Sequence, residues 1–279
     1  MRKFGIDISV WQGNFDMARA KREGVEFVII KGGGGDDGLY VDSRFQQNYN
    51  KAKQLGLPVG CYWFSKALTL KQAEQEAEYF YQNVLKGRQF ELPIYMDVEN
   101  KTQLAVGQRM LTDIVKTWLN YLEKRGYFVG IYSSLYYINR KLYDNELQSY
   151  THWMAQWNTT LDYAHKEICG MWQFGGETNY IRSNKVAGVV CDQNYMLQDL
   201  PTIIKKAGLN GFSQTPQPTP TPTPISTPKE ETCMVTIGDL INFFKALFED
   251  APGIFEAFGK LLALFNIEIG GEKKEETAE

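Results

Sequence analysis

Through the first half of the chain, short β-rich runs with few charges alternate with helical patterns, and no other feature restricts the fold as much. Phe4–Ile8, Phe27–Ile30, Val59–Phe64, Leu92–Val98 and Val129–Tyr132 are apolar enough to be strands buried on both faces. Between them, helical periodicity runs over about Phe15–Glu23, Ser43–Leu55, Leu70–Leu85 and Gly107–Lys124. A strand that returns parallel to its neighbour needs a crossover, usually a helix, so the alternation predicts a parallel sheet. After Tyr132 the rhythm changes. Trp153–Trp157, Gly170–Phe174 and Val189–Asp192 are strand-like, but their connections are short and turn-rich. An α/β barrel of eight strands that loses its helices in the last third accounts for this better than a doubly wound sheet, the alternative.

Four acids stand where these strands end: Asp7, then Asp97 and Glu99 in Pro-Ile-Tyr-Met-Asp-Val-Glu, and Asp192 closing Val-Val-Cys. In a parallel barrel every strand opens its C-terminal end onto one face, where active sites lie. Asp97 and Glu99 are two apart on a strand and so point to the same side, with Cα atoms ~6.6 Å apart at ~3.3 Å per residue. Glycosidic bond cleavage needs such a pair, one carboxyl kept protonated and one ionised. Close carboxyls raise one another's proton affinity, so proximity itself supplies the protonated partner. The spacing leaves retaining and inverting geometries both open. Helix capping and ion pairing are the ordinary uses of single acids, but they do not explain four at strand ends. A metal site from the same acids is disfavoured, because no His lies nearby and no DxDxDG-type loop occurs; no cofactor is expected.

Aromatic residues crowd the same strand ends. Tyr62, Phe64, Tyr132, Trp157 and Trp172 are the candidate substrate-binding rings, with Trp11 and Trp63 nearby. A ring-lined cleft suits a polysaccharide; barrel core is the competing use of each ring. Gly32-Gly-Gly-Gly35-Asp-Asp follows the second strand, and without a following Lys-Ser/Thr it is not a phosphate loop. It reads as a flexible rim of the cleft. Cys61, Cys169 and Cys191 sit in apolar runs without CxxC spacing, as buried free thiols do. A net charge of −3 with no basic cluster excludes a polyanion-binding signature, so nucleic acid is not an expected partner.

With these residues in hand, the chain resembles glycoside hydrolase family 25, the muramidases of many phage endolysins and bacterial autolysins. The resemblance rests on Gly5-Ile-Asp7-Ile-Ser-Val-Trp-Gln12-Gly13, Phe27-Val-Ile-Ile-Lys31, Gly60-Cys-Tyr62-Trp-Phe64, Pro93-Ile-Tyr-Met-Asp97-Val-Glu99 and Gly130-Ile-Tyr132-Ser. It continues through Trp153-Met-Ala-Gln-Trp157, Trp172-Gln-Phe and Val190-Cys-Asp192. The ordered set, from Phe4 to about Leu200, is far more specific than any member. It implies an irregular TIM-like barrel with helices after the first five strands only. It also implies hydrolysis of the β-1,4 bond between N-acetylmuramic acid and N-acetylglucosamine in bacterial peptidoglycan. Glu99 would be the general acid, Asp97 would orient the substrate's own acetamido group, and Asp7 and Asp192 would shape the charge of the cleft floor. A carbohydrate-binding barrel without catalysis and a chitinase-like glycosidase are the alternatives; the Trp11-Gln12-Gly13 element disfavours the second.

The composition breaks at Gln214–Pro228, where alternating Thr-Pro holds an extended spacer. The expected organisation is a catalytic barrel over 1–212, a Pro/Thr-rich linker over 213–229 and a small α-helical appendage over 230–279. In the appendage, Leu240, Phe243, Phe244, Leu247 and Phe248 form one apolar stripe, and Ile254, Phe255, Phe258, Leu261, Leu262 and Phe265 a second, after Pro252-Gly253. So small a hairpin cannot bury those stripes alone. Residues 229–279 carry 5 Lys/Arg against 11 Asp/Glu, which disfavours an anionic membrane surface. Homo-oligomerisation through 236–268 is the preferred expectation, with wall binding the alternative. The first residues lack a signal-peptide core and no window reaches the length of a membrane span. The expectation is synthesis in the bacterial cytoplasm without a signal peptide, with release to the wall through a phage holin or lysis of neighbours.

Overall fold

A computed structural model describes residues 2–35 and 38–213. The linker from residue 214 on, the appendage, its oligomerisation stripes and Cys233 lie outside the described residues. The strands are β1 (Lys3–Ile8), β2 (Phe27–Gly34), β3 (Tyr40–Val41), β4 (Val59–Phe64), β5 (Ile94–Asp97) and β6 (Val129–Ser134). They continue with β7 (Thr151–Ala155), β8 (Cys169–Gly175), β9 (Lys185–Val186), β10 (Val189–Val190) and β11 (Asp192–Met196). The helices are α1 (Met17–Arg22), α2 (Phe45–Gln54), α3 (Leu70–Phe80), α4 (Gln108–Glu123), α5 (Leu135–Lys141) and α6 (Leu200–Ala207).

The sheet runs β1-β11-β8-β7-β6-β5-β4-β2 and closes through a β1–β2 pairing, with β3 appended outside β2. Every neighbouring pair from β1 through β2, β4, β5, β6 and β7 to β8 is parallel. β11 is antiparallel to both β8 and β1. The barrel expected from the alternating pattern is the one found.

Strand alternation sorts the side chains into two cores. Phe27, Ile29, Tyr95, Tyr132, Trp153, Met171 and Met196 fill the barrel interior, while Ile6, Val28, Ile30, Met96 and Ile131 face the helices. Helix α4 meets that outer layer with Leu111, Ile114, Val115, Trp118, Leu119 and Leu122, one buried stripe at helical spacing. Three strands repeat one local pattern: Gly5-Ile-Asp7, Gly60-Cys-Tyr62 and Gly130-Ile-Tyr132. A Cβ at Gly5 would lie 2.5 Å from the Phe27 ring, and one at Gly130 would lie 2.7 Å from the Tyr95 ring. Glycine in the lower layer leaves room for these interior rings, and the residue two positions later rises to the mouth.

Four details differ from the sequence reading. The Gly32–Gly35 run is not a flexible rim: β2 extends through Gly34, with Gly32 to Gly34 buried. A Cβ on Gly32 would strike the Phe80 ring at 2.4 Å, and one on Gly33 the Tyr40 carbonyl oxygen at 2.0 Å. Glycine is required there for close packing. The stretch Val189–Asp192 is not one strand. Val189–Val190 pairs with Lys185–Val186 in a separate hairpin, and Asp192 opens β11 rather than closing a strand. Helices do not stop after the fifth barrel strand, since α6 follows β11 and places Leu200 in the barrel interior. Finally, α3 widens into a π-helical turn over Tyr81–Leu85 before the chain turns.

Candidate active site

The antiparallel course of β11 decides the site. Because it runs against its neighbours, its first residue stands at the mouth where the parallel strands end, and Asp192 is the register partner of Asp7. Asp97 lies beside Phe64 on one side and Tyr132 on the other. All four candidate acids therefore share one mouth. Asp7 and Asp97 are buried, Asp192 is half-buried, and Glu99 reaches solvent. Gly176 makes the necessary space, since a Cβ there would lie 1.9 Å from Asp192 Oδ1 and 2.8 Å from the Trp157 ring.

Asp7 is held by donors. Asn194 Nδ2 and Gln173 Nε2 donate to its Oδ2 at 2.8 and 3.0 Å. Each amide is fixed in turn: Trp153 Nε1 donates to Asn194 Oδ1 at 2.7 Å, and Tyr132 Oη and Trp157 Nε1 both donate to Gln173 Oε1 at 3.0 Å. The amides can present only N–H to Asp7. Burial pushes the Asp7 carboxyl up, and these hydrogen bonds oppose the shift. Asp192 is raised by burial and then by the charge of Asp7, without comparable donors, so Asp7 is the first of that pair to ionise.

Asp97 is raised by burial and then by Glu99, against the pull of Lys31. Among the described residues no donor reaches Asp97 Oδ1, although that atom is buried. Glu99 is raised by the protein packed around it and then by Asp7, again against Lys31. Carboxyls this close, facing one ammonium, cannot all be ionised at neutral pH, so the mouth retains protons. Asp192 should therefore be a stability liability. A raised folded-state pKa means stability present at low pH and lost as pH rises through the raised value. Asp192→Asn should stabilise the fold at pH 7 by about 1–2 kcal/mol, with the gain shrinking toward pH 4. Denaturant titrations at both values test this, and an equally stable variant at pH 7 would mean the charge carries no strain.

The candidate rings divide. Tyr62 and Phe64 point inward from β4; Tyr62 packs edge-on to Trp153 with centroids 5.9 Å apart, and Lys31 Nζ sits 4.8 Å above the Phe64 ring. Tyr132 lies under the mouth, and Trp157 stands half out of it at 38% exposure. Trp172 is the exception and does not reach the mouth. Its β8 neighbours Met171 and Gln173 face in, so Trp172 faces out, fully buried, with Nε1 donating to the Gln156 carbonyl at 2.8 Å. Trp63 is likewise buried, donating to Glu76 at 3.1 Å.

Sequence reasoning passed over Lys31, Gln173, Asn194 and Trp153 as site residues. The inward register would have found them: Lys31 continues Phe27 and Ile29 at every second position, as the acids do on their own strands. An amide such as Gln173 inside an apolar strand also signals a polar partner across the barrel.

The closed barrel thus gathers four carboxyl groups and several rings at one mouth. The chain belongs to glycosyl hydrolases family 25, whose model matches residues 6–182. It is 29% identical over 157 residues to the autolytic lysozyme of Clostridium acetobutylicum, covering 56% of this chain and 45% of that protein. It is 31% identical over 118 residues to lysozyme M1 of Streptomyces globisporus, covering 42% and 39%. The chain thus spans less than half the length of either relative. Among solved structures, the CTP1L endolysin superposes with a TM-score of 0.62 at 25% identity, over 73% of this chain and 69% of that one. The bacterial lysozyme of Streptomyces coelicolor shares the fold with a TM-score of 0.62 at 22% identity, over 76% and 99%. Among the described residues no helix is long and apolar enough to cross a membrane.

Proposed function

We propose that this protein is a muramidase that hydrolyses the β-1,4 bond between N-acetylmuramic acid and N-acetylglucosamine in the bacterial cell wall. The observation that carries the reading is the pair at the end of β5, Asp97 as its last residue and Glu99 two positions beyond it. Glu99 is exposed at the mouth with its proton affinity raised by burial and by Asp7, and Asp97 below it keeps a buried acceptor, Oδ1, without a partner among the described residues. A buried acceptor without a donor is costly, and a bound sugar's acetamido N–H would satisfy it. That contact turns the acetamido carbonyl oxygen toward the anomeric carbon. Glu99 then protonates the departing glycosidic oxygen while the acetamido oxygen closes on the anomeric carbon, as in substrate-assisted glycosidases. Glu99, now a carboxylate, takes a proton from the water that reopens the ring. Asp7 keeps its charge below this pair and favours the positive character that develops on the sugar. For the appendage we keep self-association as the reading.

Digested peptidoglycan should carry its new reducing ends on muramic acid, read by borohydride reduction and mass spectrometry. Ends on glucosamine would replace this reading with a glucosaminidase or chitinase-like one. A binding barrel without catalysis would leave the turbidity of a wall suspension unchanged.

A further inference from the structure

Beyond the acids, the mouth continues into a groove that the proposed chemistry does not use. Ser134 at the end of β6 is the register partner of Ala155 at the end of β7, and two residues earlier on β6 Tyr132 lies beside Asp97 of β5. From that edge a groove of about 490 Å³ runs over α5, lined by Ser134, Tyr136, Asn139, Arg140 and Gln156. Tyr136 is 65% exposed, a large ring area to leave in water, and rests edge-on against Tyr137 with centroids 5.6 Å apart. Arg140 is exposed on the last turn of α5, and no hydrogen bond or ion pair engages its guanidinium among the described residues. Asp162, the acid bonded to Gln156 of the groove, is already committed. It accepts from Gln156 Nε2 at 2.6 Å, and its backbone N–H donates to Gln156 Oε1 at 2.8 Å. The groove thus offers one unpaired planar cation next to one bare ring.

We propose that this groove binds the peptide stem that a muramic acid residue carries, with a stem carboxylate on Arg140 and the stem's apolar part against Tyr136. The proposal rests on the muramidase reading. A glycan lying across the mouth directs its side branches toward the rim, and the β6–β7 edge is the rim beside Asp97 and Glu99. Peptide stems bear free carboxylates, which match the fork of N–H donors on a guanidinium better than any uncharged sugar does. Lysine would keep the charge and lose the fork.

The test uses the full chain and two substrates: soluble glycan strands with their stems, and the same strands stripped by an amidase. For the unaltered protein, KM should be lower on the stem-bearing strands. Arg140→Glu should raise the ratio of the two KM values about tenfold, Arg140→Lys should raise it less, and Tyr136→Ala should move it in the same direction. A ratio unaltered in Arg140→Glu, or KM values that change equally on both substrates, would overturn the stem site. Failure of the unaltered protein to cut either substrate would instead overturn the muramidase reading.

Discussion

Glu99→Gln should lose at least ~10²-fold in wall lysis while keeping the fold, since general acid catalysis contributes on that scale. The side chain reaches solvent, and desolvation by the surrounding protein together with the charge of Asp7 raises its proton affinity, the direction a general acid needs. Glutamine preserves shape and removes the proton. The glycosidic oxygen then departs as a poor leaving group, and the water of the second half-reaction loses its base. Circular dichroism with a turbidity assay separates loss of chemistry from loss of structure. A folded Glu99→Gln protein with near-normal activity would take Glu99 out of the acid role. Asp97 and Asp192, both less accessible, would then be the groups to examine.

Gln173→Leu should be the more damaging change to the fold. One amide serves three partners, donating to Asp7 and accepting from Tyr132 Oη and Trp157 Nε1. Leucine fills similar volume but leaves a buried carboxylate short of a donor and a buried hydroxyl without an acceptor. At roughly 1–3 kcal/mol for each buried group left unpaired, the expected loss is about 2–4 kcal/mol. For a domain of this size that is a fall of roughly 5–15 °C in melting temperature. Activity should fall as well, because Asp7 with fewer donors holds its proton to higher pH. A melting temperature within about 2 °C of the unaltered protein would show that the network is replaceable, with water entering from the mouth to serve the same groups.

The barrel was legible because its cause is local. Strands buried on both faces must be apolar, crossovers between parallel strands need helices, and both signals survive in a single sequence. The acids were legible for the same reason, since a carboxylate ending an apolar strand is out of place unless the strand ends at a cleft. Strand alternation placed Asp97 and Glu99 on one strand, whereas β5 ends at Asp97 and Glu99 stands two residues beyond it. Other features depend on partners far away in the chain. Asp192 looked like the end of a strand, and only the antiparallel return of β11 shows that it begins one beside Asp7. Gly32–Gly34 looked flexible until Phe80 and Tyr40 were found packed against it. Trp172 and Trp157 are similar in sequence context, yet barrel closure turns one outward into the core and leaves the other at the mouth. The donors that keep Asp7 ionisable come from residues 166 and 187 positions away. The sequence by itself determined most of the barrel strands and the helices between the first five, and it marked Asp7 and Asp97 near strand ends, because alternation and burial act within a few residues. Tertiary structure decided which side chains share the mouth, which acid is held by donors and which keeps its proton, because desolvation and charge act through space.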